Sequence, residues 1–192
     1  MSATAQIGLC GELLTMTHVV MPAIGNRAVL HWSGADRERH DFLGDRIHVE
    51  VKTTTASKHE HIISRYDQLR VPREQRLHVV SIQLESSARG SLSAATLVDD
   101  IVERLRGEPD LMDDFLVKVG KYGWSEALRH APELLRFNLR ASCIYQVDER
   151  FPRIPDDFAL PTGVTKLEYT VDLANLAPIS VTDLQDEIRS GF

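Results

Sequence analysis

Four residues have side chains that could do chemistry together: Glu12, Asp41, Glu50 and Lys52. Phosphodiester hydrolysis needs a cation to neutralise the phosphate, a deprotonated water to attack in line, and a group to stabilise or protonate the leaving oxygen. Carboxylates with a lysine supply all three. In this reading Asp41 and Glu50 bind Mg²⁺ through oxygen, the Val51 backbone carbonyl completes the protein ligands, and Lys52 orients or helps deprotonate the water. Mn²⁺ would serve as a substitute ion. Glu12 adds a further ligand, directly or through water, if its helix packs beside the strand.

Glu50 and Lys52 lie in Ile47-His48-Val49-Glu50-Val51-Lys52-Thr53, an alternating stretch that reads as a strand. Its successive side chains face opposite ways, so His48, Glu50 and Lys52 share one face and Ile47, Val49 and Val51 the other. At roughly 3.3 Å rise per residue, Glu50 and Lys52 are about 6.6 Å apart along the strand. The competing reading is a solvated face of an amphipathic strand, with no chemistry at all.

Several elements must place the remaining residues. Helical spacing of Ile7, Cys10 and Leu14, with Leu9, Leu13, Met16 and Val20, predicts a buried helix from Ala5 to about Met21. Glu12 is the only charged side chain among the first 26 residues, and a carboxylate buried without a partner is very costly. It therefore needs one; the alternatives are a solvent-facing turn or an ion pair with an arginine. Ala28 to Trp32 is expected as a strand and Glu38 to Leu43 as another, leading through a two-residue Gly44-Asp45 hairpin turn. That register pairs Leu43 with Arg46, Phe42 with Ile47 and Asp41 with His48, which turns Asp41 to the face of Glu50 and Lys52. A loop one residue longer would turn it away.

Further along, Lys58 to His61 is expected as a polar loop and Ser64 as the cap of a helix through Leu69. Leu77 to Leu84 is an apolar run fit for a central strand. Helices follow at about Ala94 to Leu105 and Asp110 to Val119, with a short one at Trp124 to His130. Alternation from Phe137 to Val147 predicts a long strand, and Leu167, Tyr169 and Val171 mark a last one. Between them, Phe151 to Gly163 reads as a loop carrying Pro152, Pro155 and Pro161. His40 and His48 could form a metal site with Asp41, though such histidines are more often surface or paired groups. His59-Glu60-His61 lacks a third ligand at a convincing spacing for zinc.

The 192 residues suit one compact domain, and a 43% hydrophobic content provides a core. A net charge of −6 argues against a protein that coats nucleic acid by bulk electrostatics. Only residues 36–76 are net positive, with nine basic against eight acidic groups, and they hold the strand of Glu50 and four of the eight histidines. A polyanion would approach that side. Cys10 and Cys143 read as buried thiols in a reducing compartment. No signal peptide is visible, and the apolar stretch Leu13 to Ile24 is shorter than the roughly 20 residues of a membrane span. The expected location is cytoplasmic, without membrane contact.

Asp41, eight intervening residues and Glu50-Val51-Lys52 resemble the signature of the PD-(D/E)XK nuclease superfamily, and Glu12 matches the acidic residue its members often carry on the preceding helix. More specifically, Gly8 to Leu14, His40-Asp41-Phe42, Val49 to Thr54, Ile63-Ser64 with Gln68-Leu69, and the run Phe151 to Leu173 resemble the PD-(D/E)XK motif proteins found near bacterial restriction and phage-defence genes. The resemblance implies a restriction-endonuclease-like α/β fold: a mixed central sheet flanked by helices. It implies catalytic roles for Glu12, Asp41, Glu50 and Lys52, with Gln68 either near the active site or on a helix surface. DNA is the implied substrate, with a homodimer and other defence-system proteins as further partners. His40 stands where the family name has proline, and only about seven residues precede the Gly-x-x-Gly-Glu helix where a sizeable portion is usual.

The resulting expectation is a nuclease-like core over residues 1–130 and a C-terminal β-rich extension over 131–192, packed as one compact unit. Its function is Mg²⁺-dependent DNA hydrolysis, by an endonuclease of a restriction or phage-defence system. The alternative is a catalytically inactive relative serving as a DNA-binding or assembly module.

Overall fold

The computed structural model describes residues 1–36, 38–71 and 74–192. Its first element is α1 (Ala3–Thr15), opened by Ser2, whose hydroxyl accepts from Ala5 N at 3.1 Å. The helix widens into one π turn, Met16–Val20, before α2 (Met21–Ile24). Pro22 cannot donate a backbone hydrogen bond, so the carbonyl of His18 is released. Gln185 Nε2 donates to it at 3.3 Å. The helical run then continues through a 3₁₀ turn into α3 (Ala28–His31).

That run, Ala3–His31, is by length and composition apolar enough to cross a membrane, but two thirds of the relevant window is buried inside the fold. Apolarity here is that of a core helix. The strand expected at Ala28 to Trp32 is absent: these residues complete the run as α3, with only Trp32 extended enough to bridge to Phe42. A run as short as Ala28-Val29-Leu30 carries no period that separates strand from buried helix.

Strands β1 (Phe42–Leu43), β2 (Ile47–Thr54), β4 (Arg76–Ser86) and β5 (Phe137–Gln146) form the central sheet in the order β1-β2-β4-β5. β2 and β4 are parallel and the outer pairs antiparallel, so the sheet is mixed. β3 (Glu60–Ile63) and β6 (Tyr169–Asp172) make a separate antiparallel pair. The polar loop expected at Lys58 to His61 thus ends in a strand, and the helix expected after Ser64 is a series of turns through Arg70. β3 alternates in burial, with His61 and Ile63 inward and Glu60 and Ile62 outward; its charged residues masked that period.

Each face of the central sheet has its own core. Val49, Val51, Val80, Ile82 and Leu84 pack with Leu9, Cys10 and Leu13 of α1 and with α4 (Ala94–Arg104), α5 (Pro109–Lys121) and α6 (Val181–Gly191). On the opposite face, Leu77, Val79, Tyr145 and Val147 pack with Ile63, Leu69, Phe151, Val171 and Leu173. The fold is therefore a mixed sheet flanked by helices, with the small sheet on the second face. Residues 131–192 contribute β5, β6 and α6; the last helix has no counterpart among the expected elements. It opens with a capping box between Ser180 and Asp183.

α1 crosses β2 at close quarters because Gly11 has no side chain. A Cβ there would lie 1.8 Å from Thr53 Oγ1. This contact brings the residue after it, Glu12, to the edge of the sheet.

Candidate active site

β1 is only two residues long, so β2 loses its neighbour beyond Val49. Asp41 stands where β1 would continue and takes over its role: Asp41 Oδ2 accepts from Val51 N at 2.7 Å. The side chain replaces a ladder hydrogen bond. The expected hairpin register is displaced by this geometry, since Phe42 pairs with Val49 and Leu43 with His48, leaving residues 44–47 between them. The connection is two residues longer than the expected turn. A two-residue slip preserves the facing of every side chain, so Asp41 still meets Glu50.

Glu50 and Lys52 face the small-sheet side, opposite Val79 and Ser81 of β4. Glu50 is 2% exposed, and Oε1 receives Lys52 Nζ at 2.6 Å and Gln68 Nε2 at 2.7 Å. Its other oxygen, Oε2, is buried without a hydrogen-bond partner. Gln68 sits on the turns after β3, and its own Oε1 is likewise unpartnered. His40 fixes that turn. Its Nε2 donates to Gln68 O at 2.9 Å, so in the neutral ring Nδ1 accepts from His48 Nδ1, also at 2.9 Å. Burial lowers His40 to about 4 and keeps the ring neutral at neutral pH. These two histidines are a paired structural device rather than metal ligands.

Glu12 reaches the same edge from the helical side. It is buried, and in place of an arginine Trp32 Nε1 donates to Oε2 at 2.7 Å and Tyr122 OH donates to Oε1 at 2.5 Å. The Trp32 and Tyr122 rings are stacked, 6.1 Å apart and 4° from parallel. Sequence reasoning missed both. Trp32 lies 20 residues and Tyr122 110 residues from Glu12, so no local pattern links them; only the need of a buried indole N–H or phenol for an acceptor hinted at such a pair. Ser81 was missed too, and His61 was weighed only as a zinc ligand: His61 Nε2 lies 2.7 Å from Ser81 Oγ, beside Lys52 in the sheet.

The electrostatics of the cluster are those of too many acids. Burial raises Glu50 to about 8, with Asp41 adding to the rise and Lys52 opposing it. Loss of hydration raises Asp41 to about 6, against Lys52 and the Val51 N–H. Glu12 is raised by burial and by Asp41 in the same direction. For Lys52, burial works against the charge, but Glu50, Asp41 and Glu12 together hold its pKa above that of an ordinary lysine. One ammonium faces three carboxyl groups.

A hard divalent cation fits this imbalance. Asp41, the unpartnered Glu50 oxygen and the Val51 carbonyl are oxygen donors on one edge, the last because the N–H and C=O of one strand residue point the same way. Among the described residues no group of three acidic, histidine or cysteine side chains is arranged to hold an ion. Two carboxylates and a carbonyl, completed by water or phosphate oxygens, match the sparse protein ligation that Mg²⁺ accepts.

A protein-family profile described as "Putative PD-(D/E)XK family member, (DUF4420)" matches residues 1–174. The chain belongs to this family. The match spans α1, the whole central sheet and the small sheet, and the PD-(D/E)XK-like assignment agrees with the mixed sheet and its flanking helices. No curated protein and no solved structure matches the chain.

Proposed function

We propose that this PD-(D/E)XK family member is a Mg²⁺-dependent deoxyribonuclease, acting as an endonuclease in a bacterial restriction or phage-defence setting in the cytoplasm. One observation carries the reading: Glu50, buried at the open edge of β2, holds one oxygen on Lys52 and Gln68 and leaves the other free beside Asp41.

Asp41, Glu50 and the Val51 carbonyl would hold the ion, which when bound neutralises the scissile phosphate and acidifies a water. Lys52 keeps its proton in this environment, so it orients the attacking water or stabilises developing negative charge rather than acting as a free base. Gln68 fixes the Glu50 carboxylate, and His40 fixes Gln68. Glu12 stands near the site while Trp32 and Tyr122 hold its oxygens. Its role is to orient and to tune the field rather than to bind the ion directly.

The test is cleavage of plasmid and oligonucleotide DNA with Mg²⁺ or Mn²⁺, comparing the parent with Glu50→Gln and Lys52→Ala. Metal-dependent cutting lost in both variants supports the reading. A second reading, a DNA-binding or assembly module without catalysis, draws on the engaged Glu12 oxygens and the net charge of −6. Calorimetry separates the two, because a retired site gives no Mg²⁺ heat that Glu50→Ala removes.

A further inference from the structure

α1 and β2 touch at one point and part from there. A Cβ at Gly11 would strike Thr53, whereas one at Gly8, a turn earlier, would meet nothing within 4 Å. The space that opens is a groove of about 570 Å³, within the size range of ligand pockets. Thr4 and Gly8 of α1 wall one side, His61 and Thr170 of the small sheet the other, and Lys52 and Thr54 lie on the floor.

That floor is the edge of β2 left open by the short β1. Val51 N–H points to this edge, toward Asp41. Alternate residues of a strand aim their backbone groups the same way, so Thr53 N–H faces the groove with no strand paired to it among the described residues. The Thr53 hydroxyl is also buried without a partner.

Gly8 is the informative residue. A glycine inside a helix lowers helix stability, and no neighbour requires it here. Its missing side chain leaves the groove wider at that point. The lining offers threonine hydroxyls, the Lys52 side chain and an unpaired N–H between the apolar Ile7, Val51 and Ile62, with His61 as its single aromatic ring, which suits one sugar–phosphate backbone better than a row of stacked bases. Glu60, the acid at the rim, is offset by Lys58 at 3.4 Å.

We infer that this groove carries the backbone of one polynucleotide strand away from the Asp41–Glu50–Lys52 cluster, and that Gly8 sets the width available to it. The choice of a polynucleotide rests on the nuclease reading; the groove and its dependence on Gly8 do not require that cleavage occurs.

Anisotropy of fluorescein-labelled single-stranded and duplex oligodeoxynucleotides tests this, using the full chain in Ca²⁺, which takes the same oxygen donors as Mg²⁺. Gly8→Ala should raise Tm, as helix propensity demands, while weakening binding. Gly8→Leu should weaken it more, by about tenfold or beyond. Gly120→Ala is the control, since Gly120 lies in α5 and also has open space around it; it should raise Tm and leave Kd unchanged. Unchanged Kd in both Gly8 variants, or a parent chain that binds neither oligonucleotide, overturns the inference. Failure of the nuclease reading looks different: no DNA cleavage with Mg²⁺, but a Gly8-dependent Kd.

Discussion

Lys52 Nζ lies 2.6 Å from Glu50 Oε1, two residues away on the same face of β2. The pair is buried, Lys52 being 13% and Glu50 2% exposed at the side chain, so removing either member strands the other. Lys52→Ala should therefore reduce cleavage by about 10²- to 10³-fold, the usual contribution of a positioned donor to developing negative charge. Metal binding should survive, because the ion's proposed ligands remain. Single-turnover cleavage and Mg²⁺ calorimetry on the same variant distinguish this from general collapse of the site.

The acid cluster makes a prediction about pH. Glu50 and Asp41 are raised in the folded, metal-free protein to about 8 and about 6. A carboxyl raised on folding gives stability that is complete below its unfolded pKa and is lost as pH rises through the folded value. Metal-free protein should thus lose stability between about pH 4.5 and pH 8, and Glu50→Gln should remove the upper part of that loss. Thermal denaturation in EDTA across this range is the measurement.

Metal binding should show the mirror image. Ligating carboxylates must be deprotonated, so Mg²⁺ has to displace the proton that Glu50 retains near neutral pH. Affinity should rise from pH 6 to pH 8.5 in the proposed site, with proton release seen as a dependence of calorimetric heat on the buffer's ionisation enthalpy. An affinity flat across this range would place any bound ion elsewhere.

Glu12 depends on Tyr122 and Trp32 for its two hydrogen bonds. Tyr122→Phe keeps the ring stacked but leaves one buried carboxylate oxygen unsatisfied, at a cost of about 1–3 kcal/mol. Urea denaturation should show this loss. It should shrink in a Glu12→Gln background, where Tyr122 faces a neutral amide instead of a carboxyl group.

Gly11 tests the packing that positions the site. Gly11→Ala places a methyl 1.8 Å from Thr53 Oγ1, forcing α1 off β2 at a cost of about 1–3 kcal/mol despite alanine's better helix propensity. Adding Thr53→Ala should recover much of it. The same substitution at Gly8 has the opposite expected sign for stability, because nothing lies in its path.

How much was legible in the sequence depended on distance along the chain. The alternation around Glu50, the long apolar strand β4 and the helical spacing of α1 are local periodicities, and each appears as a strand or helix at nearly the expected place. Asp41 was legible because its facing depends on loop parity, which survives a slip of two residues. Misreadings fell where a short run has no period of its own or one masked by charged residues: Ala28 to Trp32 and the turns after Ser64 in the first case, Glu60 to Ile63 in the second. The holders of Glu12 and the pairing of His40 with His48 are long-range or cross-strand contacts. No one-dimensional pattern contains them.

The central claim is that Asp41 and Glu50 share one divalent ion and that this ion drives DNA cleavage. The most direct measurement is nicking of supercoiled plasmid as a function of Mg²⁺ concentration, run in parallel for the parent chain and for Asp41→Asn and Glu50→Gln, whose folding is checked by thermal denaturation. The account predicts saturable, EDTA-reversible cutting by the parent and none by the folded variants. Intact plasmid with the parent at every metal concentration, or equal cutting by the variants, would contradict it.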